Sequence, residues 1–134
     1  MCFTKLLYKI TKFKTKKLKI GKKTLNVLLA DSFSKQLLGL MYRKSLAKNE
    51  GMLFIFKKSS KYGIWMLNMK FNIDIIWLDN NLKIIDSLQN VKPCTSLLKC
   101  KTYYPKSPSK YVLEVNSGFI SQNKIKNSVK VKFI

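Results

Sequence analysis

The 134-residue chain contains no histidine, a single arginine and only six acidic residues. The absence of histidine excludes Ser–His and Cys–His nucleophile pairs and every metal site that uses an imidazole ligand. The three cysteines, Cys2, Cys94 and Cys100, cannot complete a four-ligand zinc site by themselves. We therefore predict no catalytic residues, no bound metal and no cofactor, and the composition argues against an enzyme.

Long apolar runs and linker-like segments are also missing. No stretch approaches the roughly 20 apolar residues that cross a bilayer, and lysines interrupt the N-terminus too often for a secretory signal. We therefore expect a cytoplasmic monomer without a transmembrane segment. Residues 1–16 are predicted to be a basic N-terminal arm, and residues 17–134 one β-rich domain.

Cys94 and Cys100 are six residues apart in a segment with little periodicity. Their spacing permits a disulfide that closes a loop, and it equally permits two free thiols in a reducing cytosol. Because the composition points to an intracellular chain, free thiols are the favoured interpretation at this stage.

The net charge of +21 is the strongest compositional feature, and lysine supplies nearly all of the positive charge. Such a charge favours association with nucleic acids, because each neutralised phosphate releases counterions. Arginine, which forks onto phosphates and guanine, is nearly absent. We therefore expect weak, salt-sensitive and non-specific binding to nucleic acids or other polyanions.

Short strand patterns dominate the chain. Two strands flank Gly21, "GMLFIF" reads as a buried strand, and "IDIIWLDNNLKIIDSL" reads as a hairpin that turns at residues 79–81. Short helices are expected near residues 32–40, capped by Asp31 or Ser32 and ended by Gly39, and near residues 119–123. "KYVLEV" and "VKVKFI" add two more strands, the second at an edge. The predicted fold is mainly β, a twisted sandwich or a partly closed barrel.

Two acids fall on strands that are otherwise apolar. In "NIDIIWL", alternation puts Ile73, Ile75 and Trp77 on one face and Asp74 on the other, and both faces are apolar. Glu114 in "YVLEVN" has the same difficulty, because an unpaired buried carboxylate is costly.

Arg43 is a natural partner for these acids, since a guanidinium binds a carboxylate through two hydrogen bonds and lysine cannot. One interpretation is a buried ion pair with a purely structural role. The other is a pocket in which Arg43 binds an anionic or polar ligand. Trp65 and Asn68 could add a stacking wall with a hydrogen-bonding tip, although core packing is the favoured interpretation of Trp65.

Several blocks occur in an order that resembles an uncharacterised family, domain of unknown function 192. The blocks are Gly39-Leu40-Met41 with Arg43 and Leu46, Gly51 to Phe54 with Phe56, Trp65-Met66 with Asn68, Asp74-Ile75 with Asp79, Pro93-Cys94, Tyr104-Pro105, and Tyr111 to Glu114. The resemblance covers roughly residues 24–134. Asn72, Met69 and Ser117 depart from the family pattern, where proline, threonine and alanine are usual.

The resemblance implies a compact β-rich fold with short helices, and it implies no established activity. It also carries over five residues as a candidate ligand-binding site: Arg43, Trp65, Asn68, Asp74 and Glu114. Bacterial relatives often look exported, which this chain does not. The leading hypothesis is thus a small-ligand binding module whose ligand is polar or anionic, with polyanion binding and a structural cluster as the alternatives.

Overall fold

The computed structural model describes residues 2–134, and strands account for 42% of the structure against 16% for helices. This confirms the mainly-β prediction. The helices are α1 (Phe3–Ile10), α2 (Phe33–Leu38) and α3 (Phe119–Gln122). The strands are β1 (Thr15–Ile20), β2 (Lys23–Ala30), β3 (Glu50–Ser60), β4 (Ile64–Trp65), β5 (Ile73–Leu78), β6 (Ile84–Val91), β7 (Thr102–Tyr103), β8 (Ser109–Asn116) and β9 (Val131–Phe133).

Seven of these strands form a curled half-barrel sheet in the order β6-β5-β8-β3-β2-β1-β9. Neighbouring strands are antiparallel except β2 and β3, which run parallel and are joined by a crossover that contains α2. The short strands β4 and β7 form a separate antiparallel pair. The late strand β8 thus lies in the middle of the sheet, between β3 and β5.

Local signals in the sequence set the turns and the helix ends. Gly21 adopts a positive φ of 58° between β1 and β2, as the predicted turn requires. Ser32 accepts a hydrogen bond from the Lys35 N–H at the start of α2, and Gly39 ends that helix with a φ of 50°. The predicted hairpin joins β5 to β6, but the residue with positive φ is Leu82 rather than an asparagine.

Apolar side chains cover both faces of the sheet. On the first face, residues such as Leu53, Ile76 and Leu113 pack under α3 and the C-terminal segment. On the second face, Phe54, Trp77 and Val112 pack under the segments that follow α2 and β3. The whole of β5 is buried, so both of its apolar faces are covered.

The N-terminal segment predicted as a basic arm includes α1, and β1 begins at Thr15 within its last two residues. α1 has no buried residue, yet it contacts the body of the fold through Thr4 and Tyr8. No helix within residues 2–134 is long and apolar enough to cross a membrane.

Candidate functional site

The five predicted site residues do not form one cluster. Asp74 and Glu114 lie on neighbouring strands but face opposite sides of the sheet, because the residues that pair across β5 and β8 are Asp74 with Val115 and Ile75 with Glu114. Asp74 therefore faces α3 and Glu114 faces the opposite side. Arg43, Asn68 and Trp65 all lie on the side of Glu114, where they line two neighbouring cavities.

Asp74 is fully buried and satisfied by backbone donors. Its Oδ1 accepts a hydrogen bond of 2.8 Å from the Asn90 N–H, and its Oδ2 accepts one of 2.9 Å from the Ile120 N–H. Ile120 lies in the first turn of α3, whose N–H groups have no partner within the helix. Through these two hydrogen bonds, Asp74 holds α3 and the end of β6 in place against β5.

Arg43 forms no salt bridge with Asp74 or Glu114, so the predicted ion pair is wrong. Within residues 2–134 the only ion pair shorter than 4.0 Å joins Lys35 and Asp31. The Arg43 guanidinium instead lies over the ring of Phe13, with 5.8 Å from its carbon to the ring centroid. The prediction failed because backbone N–H groups already satisfy Asp74, and because Glu114 opens into a different cavity from Arg43.

Glu114 is 4% exposed and has apolar neighbours on both adjoining strands. It pairs with Met52 of β3 and Ile75 of β5, both fully buried, and shares its face with Val112. No hydrogen bond to its carboxyl group comes from any residue between 2 and 134, and burial raises its pKa from 4.5 to about 8. The carboxyl group is therefore mostly protonated at neutral pH.

We call the cavity that contains this carboxyl the Glu114 cavity. It has a volume of about 210 Å³, and among the described residues Glu114 is the only one in its wall with an ionisable side chain. No fully buried side-chain polar atom in residues 2–134 lacks a partner, so the unpaired carboxyl oxygens must reach the cavity. The rest of the wall is largely apolar: Leu37 to Met41, Phe54, Ile64, Trp65, Leu67 and Met69, with Gln36 and Gly63.

Trp65 is the predicted residue that shares this cavity with Glu114. It is 36% exposed, so the prediction that it could be core does not hold, and its neighbours Ile64 and Met66 are buried instead. The β4–β7 pairing fixes Trp65 opposite Thr102. A wall with one exposed indole and one buried carboxyl can bind an apolar group and a single hydrogen-bonding atom.

A second and larger cavity, the Arg43 cavity, adjoins the first at Met69 and has a volume of about 760 Å³. Among residues 2–134, five cationic side chains line it and no carboxylate does. Its lining is Lys5, Lys9, Arg43, Lys44 and Lys70, with Tyr8, Tyr42, Ser45, Asn68 and Met69. The sequence predicted Arg43 and Asn68 as site residues. The four lysines could not be recognised from the sequence, because the chain contains so many other lysines.

Tyr42 and Asn68 contact each other in the wall of the Arg43 cavity. The Tyr42 N–H donates to the Asn68 carbonyl at 2.9 Å, and Asn68 Nδ2 donates to Tyr42 Oη at 3.0 Å. Both residues have a positive φ, 68° and 60°, which is uncommon for a residue other than glycine and is often found at functional sites. Sequence reasoning missed Tyr42, whose only signal is its position beside Arg43.

The segment before β7 is closed by a disulfide. Cys94 and Cys100 are bonded, with their Cα atoms 5.2 Å apart, so the interpretation as free thiols is wrong. A bridge between Leu67 and Cys94 and a 3₁₀ turn at Leu97–Lys99 bring the two cysteines together. Residues 2–134 contain no group of three or more His, Cys, Asp or Glu that could hold a metal ion.

Comparison with known proteins gives a consistent family and fold. The family model described as Uncharacterized ACR, domain of unknown function 192, matches residues 16–133. The UPF0127 protein of Pyrococcus horikoshii is 32% identical over 112 residues, which cover 80% of this chain and 81% of that protein.

Two solved structures share the fold. A candidate transcription regulator from Sinorhizobium meliloti has a TM-score of 0.84 at 23% identity, covering 92% of this chain and 96% of that one. A protein of unknown function from Novosphingobium aromaticivorans has a TM-score of 0.83 at 24% identity, covering 92% and 88%. At these identities the likeness shows the fold alone.

Proposed function

The chain belongs to the domain of unknown function 192 family, and we propose that it is a binding module for a small, mainly apolar ligand that enters the Glu114 cavity. The observation that carries this proposal is a carboxyl group that lies in an apolar wall and has no hydrogen-bond partner among residues 2–134. A polar group in that position costs free energy unless another molecule completes its hydrogen bonds. A ligand that reaches Glu114 would offset this cost.

The cavity wall defines the chemistry of the ligand. About 210 Å³ is below the roughly 300–1,000 Å³ of a drug-sized site, so the ligand is small. Because the Glu114 carboxyl is mostly protonated at neutral pH, it donates a hydrogen bond, and the matching ligand atom is a carbonyl, ether or hydroxyl oxygen. Trp65 supplies a flat apolar surface at the same wall.

Glu114 has no arginine partner that would hold it in its ionised form, and burial raises its pKa instead of lowering it. Among residues 2–134, no nucleophile and no second acid line the same cavity.

A library of small neutral oxygen-containing molecules tests the proposal by thermal shift and by changes in Trp65 fluorescence. A ligand at 100 times its dissociation constant should raise the unfolding free energy by about 2.7 kcal/mol. Glu114→Met and Trp65→Ala should each abolish or sharply reduce the shift. The matched control is Tyr104→Ala, which removes another exposed aromatic residue that does not line the Glu114 cavity.

Two results would contradict the proposal. One is a library in which no compound stabilises the wild-type protein. The other is a stabilising compound whose shift survives both Glu114→Met and Trp65→Ala, because that ligand binds elsewhere.

Weak polyanion binding through the lysine-rich surface is the second candidate, and the net charge of +21 favours it. One structural neighbour is described as a candidate transcription regulator, but a likeness at 23% identity carries no evidence of function. Affinity for several unrelated DNA and RNA sequences at low and physiological salt tests this candidate. We expect no sequence preference and a steep loss of affinity as salt increases.

A further inference from the structure

We propose that helix α1 and the Arg43 cavity together form a docking site for the surface of an anionic lipid bilayer. This site is separate from the Glu114 cavity and does not depend on the function proposed for it. Two observations carry the inference independently: an apolar face of α1 that is exposed, and a group of cations beside it that no carboxylate within residues 2–134 neutralises.

The inner side of α1 is fixed to the body of the fold. A hydrogen bond of 2.6 Å joins Thr4 Oγ1 to Tyr42 Oη, and the rings of Tyr8 and Tyr42 lie 5.7 Å apart. Leu7 is half-buried on the same side. The helix is therefore held in a defined orientation, and its remaining surface faces outward.

The outward surface carries apolar residues on one stripe. Phe3, Leu6 and Ile10 are spaced three and four residues apart, so they lie on the same side of the helix. They are 64%, 46% and 65% exposed, which is unusual for three adjoining large apolar side chains. In the structure this apolar stripe is exposed to water, whereas the interfacial region of a bilayer would bury it.

Lysines border that stripe and continue into the Arg43 cavity. Lys5 and Lys9 are four residues apart on α1 and line the cavity together with Arg43, Lys44 and Lys70. None of these five is within 4.0 Å of a carboxylate in residues 2–134, and residues 1–30 contain no acid at all. This group of five cations would therefore attract anions from outside the chain.

The combination identifies the partner better than either feature alone. A helix with aromatic and aliphatic residues on one side and lysines on the other is typical of helices that lie in a membrane interface. Clustered lysines attract the negative surface of anionic lipids, and a guanidinium fits a headgroup phosphate through two hydrogen bonds. RNA or soluble phosphate would satisfy the cations but would leave Leu6 and Ile10 exposed.

Flotation of the untagged full chain with vesicles tests the proposal. The protein should float with vesicles that contain phosphatidylglycerol and phosphatidylcholine, and not with pure phosphatidylcholine. Replacing the apolar stripe in the triple variant Phe3→Ala, Leu6→Ala, Ile10→Ala should lower the affinity by about 10-fold or more. All three side chains are exposed, so the fold should survive, as the thermal midpoint will verify.

The charge contribution has its own matched pair of variants. Lys9→Ala with Lys70→Ala removes two exposed cations from the cavity, and Lys57→Ala with Lys58→Ala removes two exposed cations that line neither cavity. Both variants lower the net charge by two. We expect the cavity variant to weaken vesicle binding about 30-fold and the control to remain within about twofold of the wild type.

Four outcomes would overturn the proposal. One is the absence of binding to anionic vesicles. Another is an equal loss in both double-lysine variants, which would mean that only total charge matters. A third is full binding by the triple apolar variant. The last is tight binding of pyrophosphate or single-stranded RNA that depends on Lys9 and Lys70, with no binding to vesicles.

Discussion

Asp74 and Glu114 are the two fully or nearly buried carboxylic acids of this protein, and they are one strand apart in the same sheet. Asp74 accepts two backbone hydrogen bonds, whereas Glu114 accepts none and opens into an apolar cavity. The comparison shows that burial alone does not tell a structural acid from a candidate binding residue. The partners that each carboxyl finds within the protein make that distinction.

The largest effect is expected when the structural acid is removed. Asp74→Ala leaves the N–H groups of Asn90 and Ile120 without their acceptor, and hydrogen bonds to a charged group contribute about 1.5–3 kcal/mol each. We expect the unfolding free energy in urea to fall by about 3–6 kcal/mol. The control is Asp79→Ala, which also removes an acceptor of two backbone N–H groups, but at a half-exposed turn.

If Asp79→Ala lowers the unfolding free energy as much as Asp74→Ala does, burial does not distinguish the two acids. The special structural role assigned to Asp74 would then be wrong. A cost below about 1 kcal/mol for Asp74→Ala would lead to the same conclusion, because such a cost fits a solvated carboxylate.

Glu114 should make the stability of the protein depend on pH in a specific window. Its pKa is raised from 4.5 to about 8, so the folded state binds the proton more tightly than the unfolded state. Its contribution to stability is fully present below pH 4.5 and is lost as the pH rises from 4.5 to 8. We expect the unfolding free energy to fall by roughly 4 kcal/mol between pH 5 and pH 8.

Urea unfolding at intervals of half a pH unit measures this slope, and Glu114→Met is the control that should remove it. A wild-type protein whose stability is flat between pH 5 and pH 8 would mean that the folded state does not raise the pKa of Glu114 into this range.

Replacing the candidate binding residue should stabilise the protein rather than destabilise it. Glu114→Met exchanges an unpaired carboxyl for an apolar side chain of similar length among Met52, Ile75 and Val112. We expect the unfolding free energy at pH 7 to rise by about 1–3 kcal/mol. A loss of stability in this variant would assign Glu114 to the same structural class as Asp74, and the comparison between the two acids would fail.

The smallest effect is expected for Arg43, which has no carboxylate partner among residues 2–134. Arg43→Ala should lower the unfolding free energy by only about 0.5–1 kcal/mol, the size of a contact between a cation and the Phe13 ring. The same urea titration measures it, with Lys44→Ala as the neighbouring control. A loss of 3 kcal/mol or more of unfolding free energy would contradict this expectation. It would support the buried ion pair that the sequence suggested.

The elements of the fold follow from local signals in the sequence. A glycine at a tight turn, a serine before a helix and a polar Asp-Asn-Asn segment between apolar runs each act over a few residues. Alternation within β5 also predicted correctly that Ile73, Ile75 and Trp77 lie on the face opposite Asp74. These are short-range properties, and a single sequence displays them.

The arrangement of the candidate site is a long-range property, and this is where the predictions failed. Alternation within a strand does not reveal which face of β5 lies on the same side of the sheet as which face of β8. That depends on the register between the two strands, in which Ile75 pairs with Glu114. The position of Arg43 depends on the path of the loop after α2, and two of the four lysines that line its cavity come from α1, far away in the chain. The prediction of free thiols at Cys94 and Cys100 failed for another reason. It was based on the cellular compartment and not on the geometry of the segment between the two cysteines.

The central position of β8 in the sheet has a consequence for synthesis on the ribosome. Strands β1 to β3 and the β5–β6 hairpin emerge first, but β8 must be inserted between them before the seven-stranded sheet exists. β9, which pairs with β1, comes later still. Until then the nascent chain has two unfinished sheet fragments with open edges, which are prone to pair with other chains. Glu114 arrives on the joining strand itself, so the cavity that it serves cannot form before β8 has been made.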